Sequence, residues 1–514
     1  SISAAPEIEA TASGAIAAND PVIVNPDGTV SKPAVLAAAL GSEQEWATNE
    51  AFYLHICYEP VNNKVVVVYM DGADNQNAHA IAGAVDGSNK TITWGTTLQL
   101  FTSTDSGDHA KHCRVVATNY NGWCVVAWSS TYDSSKVKAC SIQTSSSNNN
   151  LSTGSSHDSS HGQSISGVAN TYITQNSGQP LDIAWDTNDG LNNGGMIFIV
   201  DIGETCYAKH IQINSNGGLT SSGSSRSILS GNGRVSCGIA FNPDTSTYIS
   251  ISGDYDNDRI DSRILYKDGN NIGESTGVTN ISGTLAGNPI IHDIAYAAVH
   301  KKFFASFKLT NNDMYGLLVD TNNINTTGGQ SQTYSAGTVI LIDNSIKCAT
   351  EGGGVCFDDD KKCWIVNWKG DQSPSASMGV FSKITYDGTS LSKSATTNFH
   401  AANTAYPCVA YDPDTKTVLL NYRDSADGSD GQVIVMVPAH DTLKEKNFIG
   451  FAQAGYSNGA TAKISVVGNQ STHSSLTPAS TYYVQSNGTI STTADFPSVV
   501  AGIALSSTKL LIKG

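Results

Sequence analysis

The chain has 514 residues, of which 39% are hydrophobic and only 14% charged, with 29 Lys plus Arg against 45 Asp plus Glu. That length excludes a single compact core, and the net charge of −16 opposes any broad nucleic-acid or anionic-membrane surface. No apolar run approaches the roughly 18 residues of a membrane-spanning helix, and the missing charge is replaced by Ser, Thr, Asn and 48 Gly, which suit strands and turns.

The first predicted element is a hairpin within Ile16 to Ser31, turning at Asp27-Gly28 between alternating strands. From Tyr58 onward a longer pattern takes over: a short apolar strand, an aromatic, a polar turn, and a second apolar strand. Its clearest copy runs from Val409-Ala410-Tyr411-Asp412-Pro413 to Leu419-Leu420-Asn421-Tyr422. Equivalent turns begin at Tyr58, Trp185, Phe241, Tyr296 and Phe357, with a degenerate copy at Ala117. Six of the seven copies close eleven positions after the anchor, at Tyr69, Trp128, Ser252, Phe307, Trp368 and Tyr422, whereas the Trp185 copy has a longer turn. A third alternating segment follows the hairpin, as in His79–Val85 and Gly431–Val437, and then a weaker Ser/Thr-rich fourth. Four short antiparallel strands repeated radially define a β-propeller, and seven repeats predict seven blades.

Beyond the last blade the opening hairpin returns. Ile16 to Ser31 aligns without gaps with Leu476 to Ser491 at a constant offset of 460, and Ile449-Gly450-Phe451-Ala452 matches Ala501-Gly502-Ile503-Ala504. The fold class predicted is therefore all-β: a seven-bladed propeller inserted in a small β domain formed by both chain ends, plus a second C-terminal copy of that domain. Residues 1–40 and 446–470 are expected to form the split base domain, 41–445 the propeller and 471–514 the second module. A lone hairpin buries too little apolar area to be stable, so the N-terminal one must find its returning strand beyond the propeller.

The strings Thr481-Tyr482-Tyr483-Val484-Gln485-Ser486-Asn487-Gly488-Thr489-Ile490-Ser491 and Ala501-Gly502-Ile503-Ala504-Leu505-Ser506-Ser507-Thr508-Lys509-Leu510-Leu511-Ile512 resemble the terminal β modules of tailed-bacteriophage virion proteins, both tail fibres and capsid decorations. The resemblance covers about the first 35 and last 70 residues and names no catalytic residue. It implies a non-enzymatic structural protein on the virion surface, assembled in the host cytoplasm. Its expected partners are other virion proteins through the terminal modules and a host surface glycan or protein through the propeller. Tail fibre or spike is the first position implied and head fibre or decoration the second. Nucleic acid and membrane insertion are not expected, and a homo-oligomer is compatible. A bacterial surface adhesin or a glycan hydrolase of propeller fold are the alternatives.

The chemistry-bearing residues lean away from catalysis. A sialidase-like site grips a carboxylate with several inward arginines. This chain has six in all (Arg114, Arg226, Arg234, Arg259, Arg263 and Arg423), and only Arg423 follows a closing aromatic. His157-Asp158-Ser159 has the letters of a triad, but no GxSxG elbow accompanies it. His157 and His161 stand four apart in a Ser-rich loop without helical pattern, so a shared zinc is not expected. Asp254, Asp256, Asp258 and Asp261 alternate carboxylates in a spacing that a calcium loop uses. They lack the Gly and bidentate Glu of an EF-hand, so a solvated turn competes with that reading. Calcium is the one ion suggested, and no other cofactor is expected. Trp128, Trp185, Trp368 and Tyr422 occupy equivalent places in the repeat and are read as core. The ten cysteines show no CxxC spacing. They read as buried thiols, although Cys113/Cys124 and Cys356/Cys363 can face one another across hairpins.

Overall fold

The computed structural model describes residues 6–513 apart from 101–108, 131–136, 155–162, 165–178, 189–193, 202, 232, 270, 276, 321–335, 373–374, 402 and 496. Among the described residues every regular element is a β-strand. The chain divides into two compact units, Leu40–Val437 and the combined ends Ser1–Ala39 with Pro438–Gly514.

The large unit consists of seven antiparallel sheets laid down in chain order. Their first strands are Ala51–Glu59, Ala110–Ala117, Leu181–Trp185, Arg234–Asn242, Ile290–Ala297, Cys348–Asp358 and Thr404–Asp412. Each pairs with the strand that follows it, that one with a third, and the third with a fourth, which is broken in two in four of the sheets. The first strands also lie against one another in chain order, and that of the seventh sheet lies against that of the first. The seventh sheet takes its fourth strand from the other end of the unit: Ala39–Ala47 joins Asp430–Val437. Trp46 on that strand donates Nε1 to Asn421 Oδ1 at 2.8 Å. Its ring lies where a Cβ on Gly431 would approach within 2.4 Å, so only glycine fits there.

All seven anchors sit on hairpins between first and second strands. Tyr58 faces Val65, Phe241 faces Tyr248, Phe357 faces Trp364 and Tyr411 faces Val418, seven positions on; Trp185 faces Gly195 across its longer turn. The polar residue after the anchor makes the turn, because its side chain accepts hydrogen bonds from backbone two and three residues on. Glu59 takes the N–H groups of Val61 and Asn62, Asp358 those of Asp360 and Lys361, and Asp412 those of Asp414 and Thr415. The closing residues Tyr69, Trp128, Ser252, Phe307, Trp368 and Tyr422 are all buried. Tyr69, Trp128, Phe307 and Trp368 join clusters filling the spaces between neighbouring sheets, such as Trp128 with Val66 and Val68.

The small unit contains two five-stranded sheets of the same order. One runs Glu7–Thr11, Thr461–Ser465, Phe448–Ala452, Pro21–Val24, Val30–Ser31; the other runs Gln470–Thr472, Lys509–Ile512, Val499–Ala504, Thr481–Val484, Ile490–Ser491. Their registers match residue by residue. Val22 faces Gly450 and Ile23 faces Phe448 across a bulge, while Tyr482 faces Gly502 and Tyr483 faces Val500 across the same bulge. Both hairpins turn through a left-handed glycine, Gly28 at φ +82° and Gly488 at φ +76°. In the first sheet the connection from third to fourth strand holds the whole large unit, while in the second it runs only from Ser491 to Val499. His440–Asp441 pairs with Val35–Leu36, which moves the expected boundary near 445 back to Val437/Pro438.

Candidate functional site

The first strands of the large unit bring two sets of side chains together. Three positions before three of the anchors a side chain bonds to the backbone of the next sheet. His55 Nδ1 accepts the Val115 N–H at 3.2 Å, Asp182 Oδ2 that of Ile239 at 2.8 Å, and Asp293 Oδ2 that of Val355 at 3.0 Å. The sixth sheet has Gly354 at this position, and Asn367 substitutes: its Oδ1 accepts the Gly354 N–H and its Nδ2 donates to the Cys408 carbonyl. Arg114 occupies the same position in the second sheet, 8% exposed, with Nε 3.8 Å from Asp182 Oδ1. Burial, opposed by the Arg114 guanidinium and reinforced by Asp293, pushes the Asp182 carboxyl up to about 7. Burial likewise raises Asp293. His112 and His292 go the other way, down to about 3, because burial and nearby cations disfavour the imidazolium. Each carboxylate also accepts the N–H of the residue after it, Ile183 or Ile294. These acids are spent on backbone, which is a structural use.

Two positions further toward the start of each first strand lies a different set. Tyr53, His112 and Tyr406 are equivalent in the repeat, and all three are left-handed, at φ +51°, +52° and +48°. Each sits where the pairing with the second strand shifts register. The sixth sheet places Gly352 at the equivalent position at φ +115°, inside a longer irregularity between Cys348 and Gly353. A bulky residue held left-handed costs on the order of 1–2 kcal/mol, and such outliers gather at functional sites. The rings form a row: Tyr53 lies 5.2 Å from Tyr406 and 5.0 Å from His112, with Phe52 6.1 Å from Tyr406. Arg423 lies over Phe52 and Tyr406, its guanidinium carbon 4.4 Å and 5.1 Å from the ring centroids. Its Nε donates to Ser425 Oγ, and its Nη1 is buried with no hydrogen-bond partner among the described residues. Phe52, Tyr53, Tyr406 and Arg423 are half-buried.

The residues singled out from sequence fall elsewhere. Asp254 and Asp261 are buried around Arg234, with its Nη2 3.3 and 2.6 Å from them, and Arg259 pairs with both. Asn257 donates to Asp254, Asp256 is exposed and Asp258 half-buried in the turn. Arginines thus hold the two acids that a calcium loop needs, and the structure does not gather Asp254, Asp256, Asp258 and Asp261 around one point. Among the described residues no group of three or more His, Cys, Asp or Glu is placed to bind a metal ion. His157, Asp158, Ser159 and His161 lie outside the described residues. Asp358 is buried, its carboxylate capping the turn that follows Phe357. All ten cysteines are free, so neither hairpin pair is bridged. Trp128, Trp185, Trp368 and Tyr422 are buried core. Tyr53, His112 and Tyr406 escaped the sequence reading, which followed the closing residues. Their signal was a bulky residue recurring five positions before three anchors.

No protein-family profile matches the chain, and no curated protein matches it either. Among solved structures it is similar to AofleA from Arthrobotrys oligospora, at 9% identity and TM-score 0.42, covering 74% of this chain and 92% of that one. It is also similar to Trypanosoma rangeli sialidase, at 10% identity and TM-score 0.38, over 85% of this chain and 60% of the sialidase. A chain of the mitotic checkpoint complex matches at 12% identity and TM-score 0.41, over 77% of this chain and 94% of the other. Likenesses this distant assign neither activity nor partner.

Proposed function

We propose that this chain is a non-enzymatic attachment protein of a tailed-bacteriophage particle. In this reading the seven sheets close as a seven-bladed β-propeller that engages the host surface, and the two terminal modules dock to other virion proteins. The observation that carries it is the duplicated module, one copy of which is opened between its third and fourth strands to admit the large unit. A recognition head inserted in one repeat of a mount leaves the second repeat intact for docking. The virion setting draws on the resemblance of the terminal strings, with tail fibre or spike favoured over capsid decoration. Immunogold labelling of purified particles, with antibody raised against the full chain, is expected to decorate their surface. Label confined to the particle-free fraction overturns the reading, and label on capsid instead of tail selects the decoration role.

A glycan hydrolase is the second reading, favoured by one observation, the buried Asp182 and Asp293 with raised pKa flanking Arg114. A carboxyl kept protonated near neutral pH by burial is what the general acid of a glycosidase needs. Against it stands the commitment of both carboxylates to backbone N–H groups in two sheets. Turnover of fluorogenic glycosides that disappears in Asp182→Asn would establish the enzyme and displace the attachment reading.

A further inference from the structure

We propose that the open sheet face of the second small module, carrying Tyr483, Val500, Ile503, Leu505 and Leu511, pairs with the same face of a second copy of this chain about a two-fold axis. The inference goes beyond the attachment reading and does not depend on it. The two modules repeat one sheet, so each position in one has a counterpart in the other whose surroundings can be compared. On the first module Ile23 faces Phe448 and Phe451 faces Ser465. That face is covered: Ile23 and Phe451 are fully buried and join Tyr482, Val484, Val499 and Leu510 of the second module in one cluster. The counterparts on the second module are the pairs Tyr483 with Val500 and Ile503 with Leu511. Strand alternation turns them away from Tyr482, Val484, Val499 and Leu510. All four are only half-buried and, among the described residues, join no apolar cluster.

Two differences between the modules make the uncovered face the more apolar one. Ser465 is matched by Leu511. Gln453, whose N–H reaches the Lys463 carbonyl, is matched by Leu505, whose N–H reaches the Lys509 carbonyl in the same way. Leu505 is 52% exposed, and an apolar face left open marks a contact. The opposite face of each module is already filled, by Ala12, Ile16 and Tyr456 in the first and by Ile23 and Phe451 in the second. Another copy therefore has no receiving module face for a head-to-tail stack, which leaves the isologous contact of the open face with itself. Its centre carries no charge. With the axis along the strands, Lys509 meets the Thr481–Val484 side of the other copy and not its own counterpart. Five short strands present roughly 350 Å² per copy. Two copies bury about 700 Å², below the roughly 1,000 Å² of a stable interface, so the dimer is weak and concentration-dependent.

Sedimentation velocity of the full chain over about 1–200 µM is expected to show a reversible monomer–dimer equilibrium, with a dissociation constant on the order of tens of micromolar. Ile503→Lys and Leu505→Lys each set a charge in the face and are expected to raise that constant by about tenfold or more. Val61→Lys, at a comparably exposed valine of the large unit, is expected to leave it unchanged. Leu505 is exposed and lies just past the strand Val499–Ala504, so its substitution keeps the module folded even where Ile503→Lys does not. A chain that stays monomeric at every concentration overturns the assignment. So does a dimer with the same constant in Leu505→Lys as in the parent, or assembly beyond a dimer, which a closed two-fold contact forbids. No particle enters the measurement, so its failure and the failure of the attachment reading are separately visible.

Discussion

Buried titratable groups on the first strands make stability depend on pH in opposite senses. Asp182 carries a folded-state pKa of about 7, above the ordinary aspartate value. Between about pH 4 and 7 the folded chain therefore holds a proton that the unfolded chain has lost, and stability falls as pH rises through that window, by at most about 1.4 kcal/mol per unit. His112 and His292, at about 3, act oppositely: between about pH 3 and 6.5 only the unfolded state is protonated, so their contribution is lost as pH falls. Asp182→Asn removes the first effect alone. Its unfolding midpoint relative to the parent is expected to rise from pH 5 to pH 8, and a difference that stays flat would show that Asp182 titrates normally. The thiols predict an absence of effect. Burial pushes Cys113 up to about 12, and with ten free cysteines a reductant should leave the melting curve unchanged within a degree or so. A clear fall in midpoint would reveal a cross-link.

Single elements are held by a few residues whose substitution can be graded. Gly28 and Gly488 make equivalent left-handed turns, yet their surroundings differ. A Cβ on Gly28 meets nothing within 4 Å, whereas one on Gly488 comes within 2.4 Å of the Lys32 side chain and 2.7 Å of the Pro33 carbonyl. Gly28→Ala should cost about 1 kcal/mol from backbone strain alone. Gly488→Ala should cost more, because the Pro33 backbone cannot yield as the lysine tip can. Equal losses in chemical denaturation would contradict that account. The closing strand Ala39–Ala47 offers a second element-level test. Trp46 anchors it through Asn421 and lies 4.8 Å from the ring of Tyr69, so Trp46→Ala is expected to expose the strand to limited proteolysis before the rest of the large unit is cut. Cleavage appearing first in any other strand would assign the weak point elsewhere.

At the scale of the whole molecule the topology predicts that the small unit does not need the large one. Leu36 and His440 face each other in antiparallel register, and the second module already joins the corresponding strands by a short link. Replacing residues 37–439 by Asn-Gly should therefore close a tight hairpin. A shortened chain with dispersed amide resonances and a cooperative melt is the expected result. A molten or aggregated product would mean that the small unit depends on its insert for folding.

Much of this fold is legible in the chain. Hairpins with an aromatic anchor, a capping polar residue and a buried closing residue are local patterns, set by alternation and turn chemistry within fifteen or so residues. The offset of 460 reappears in the pairing of both small sheets, bulge included, because equal side chains demand equal registers once one face is buried. Sequence by itself thus determined the repeat, the hairpins and the kinship of the two ends. Only the tertiary structure decided where long-range partners go. Trp46 meets Asn421 across 375 positions, Arg234 and Arg259 claim the acids proposed for calcium, and Arg423 lies on Phe52 and Tyr406. None of these pairings has a period or a spacing to betray it. Each is selected by whichever group the folded sheets bring near a buried charge or ring, and that is a property of the assembled molecule.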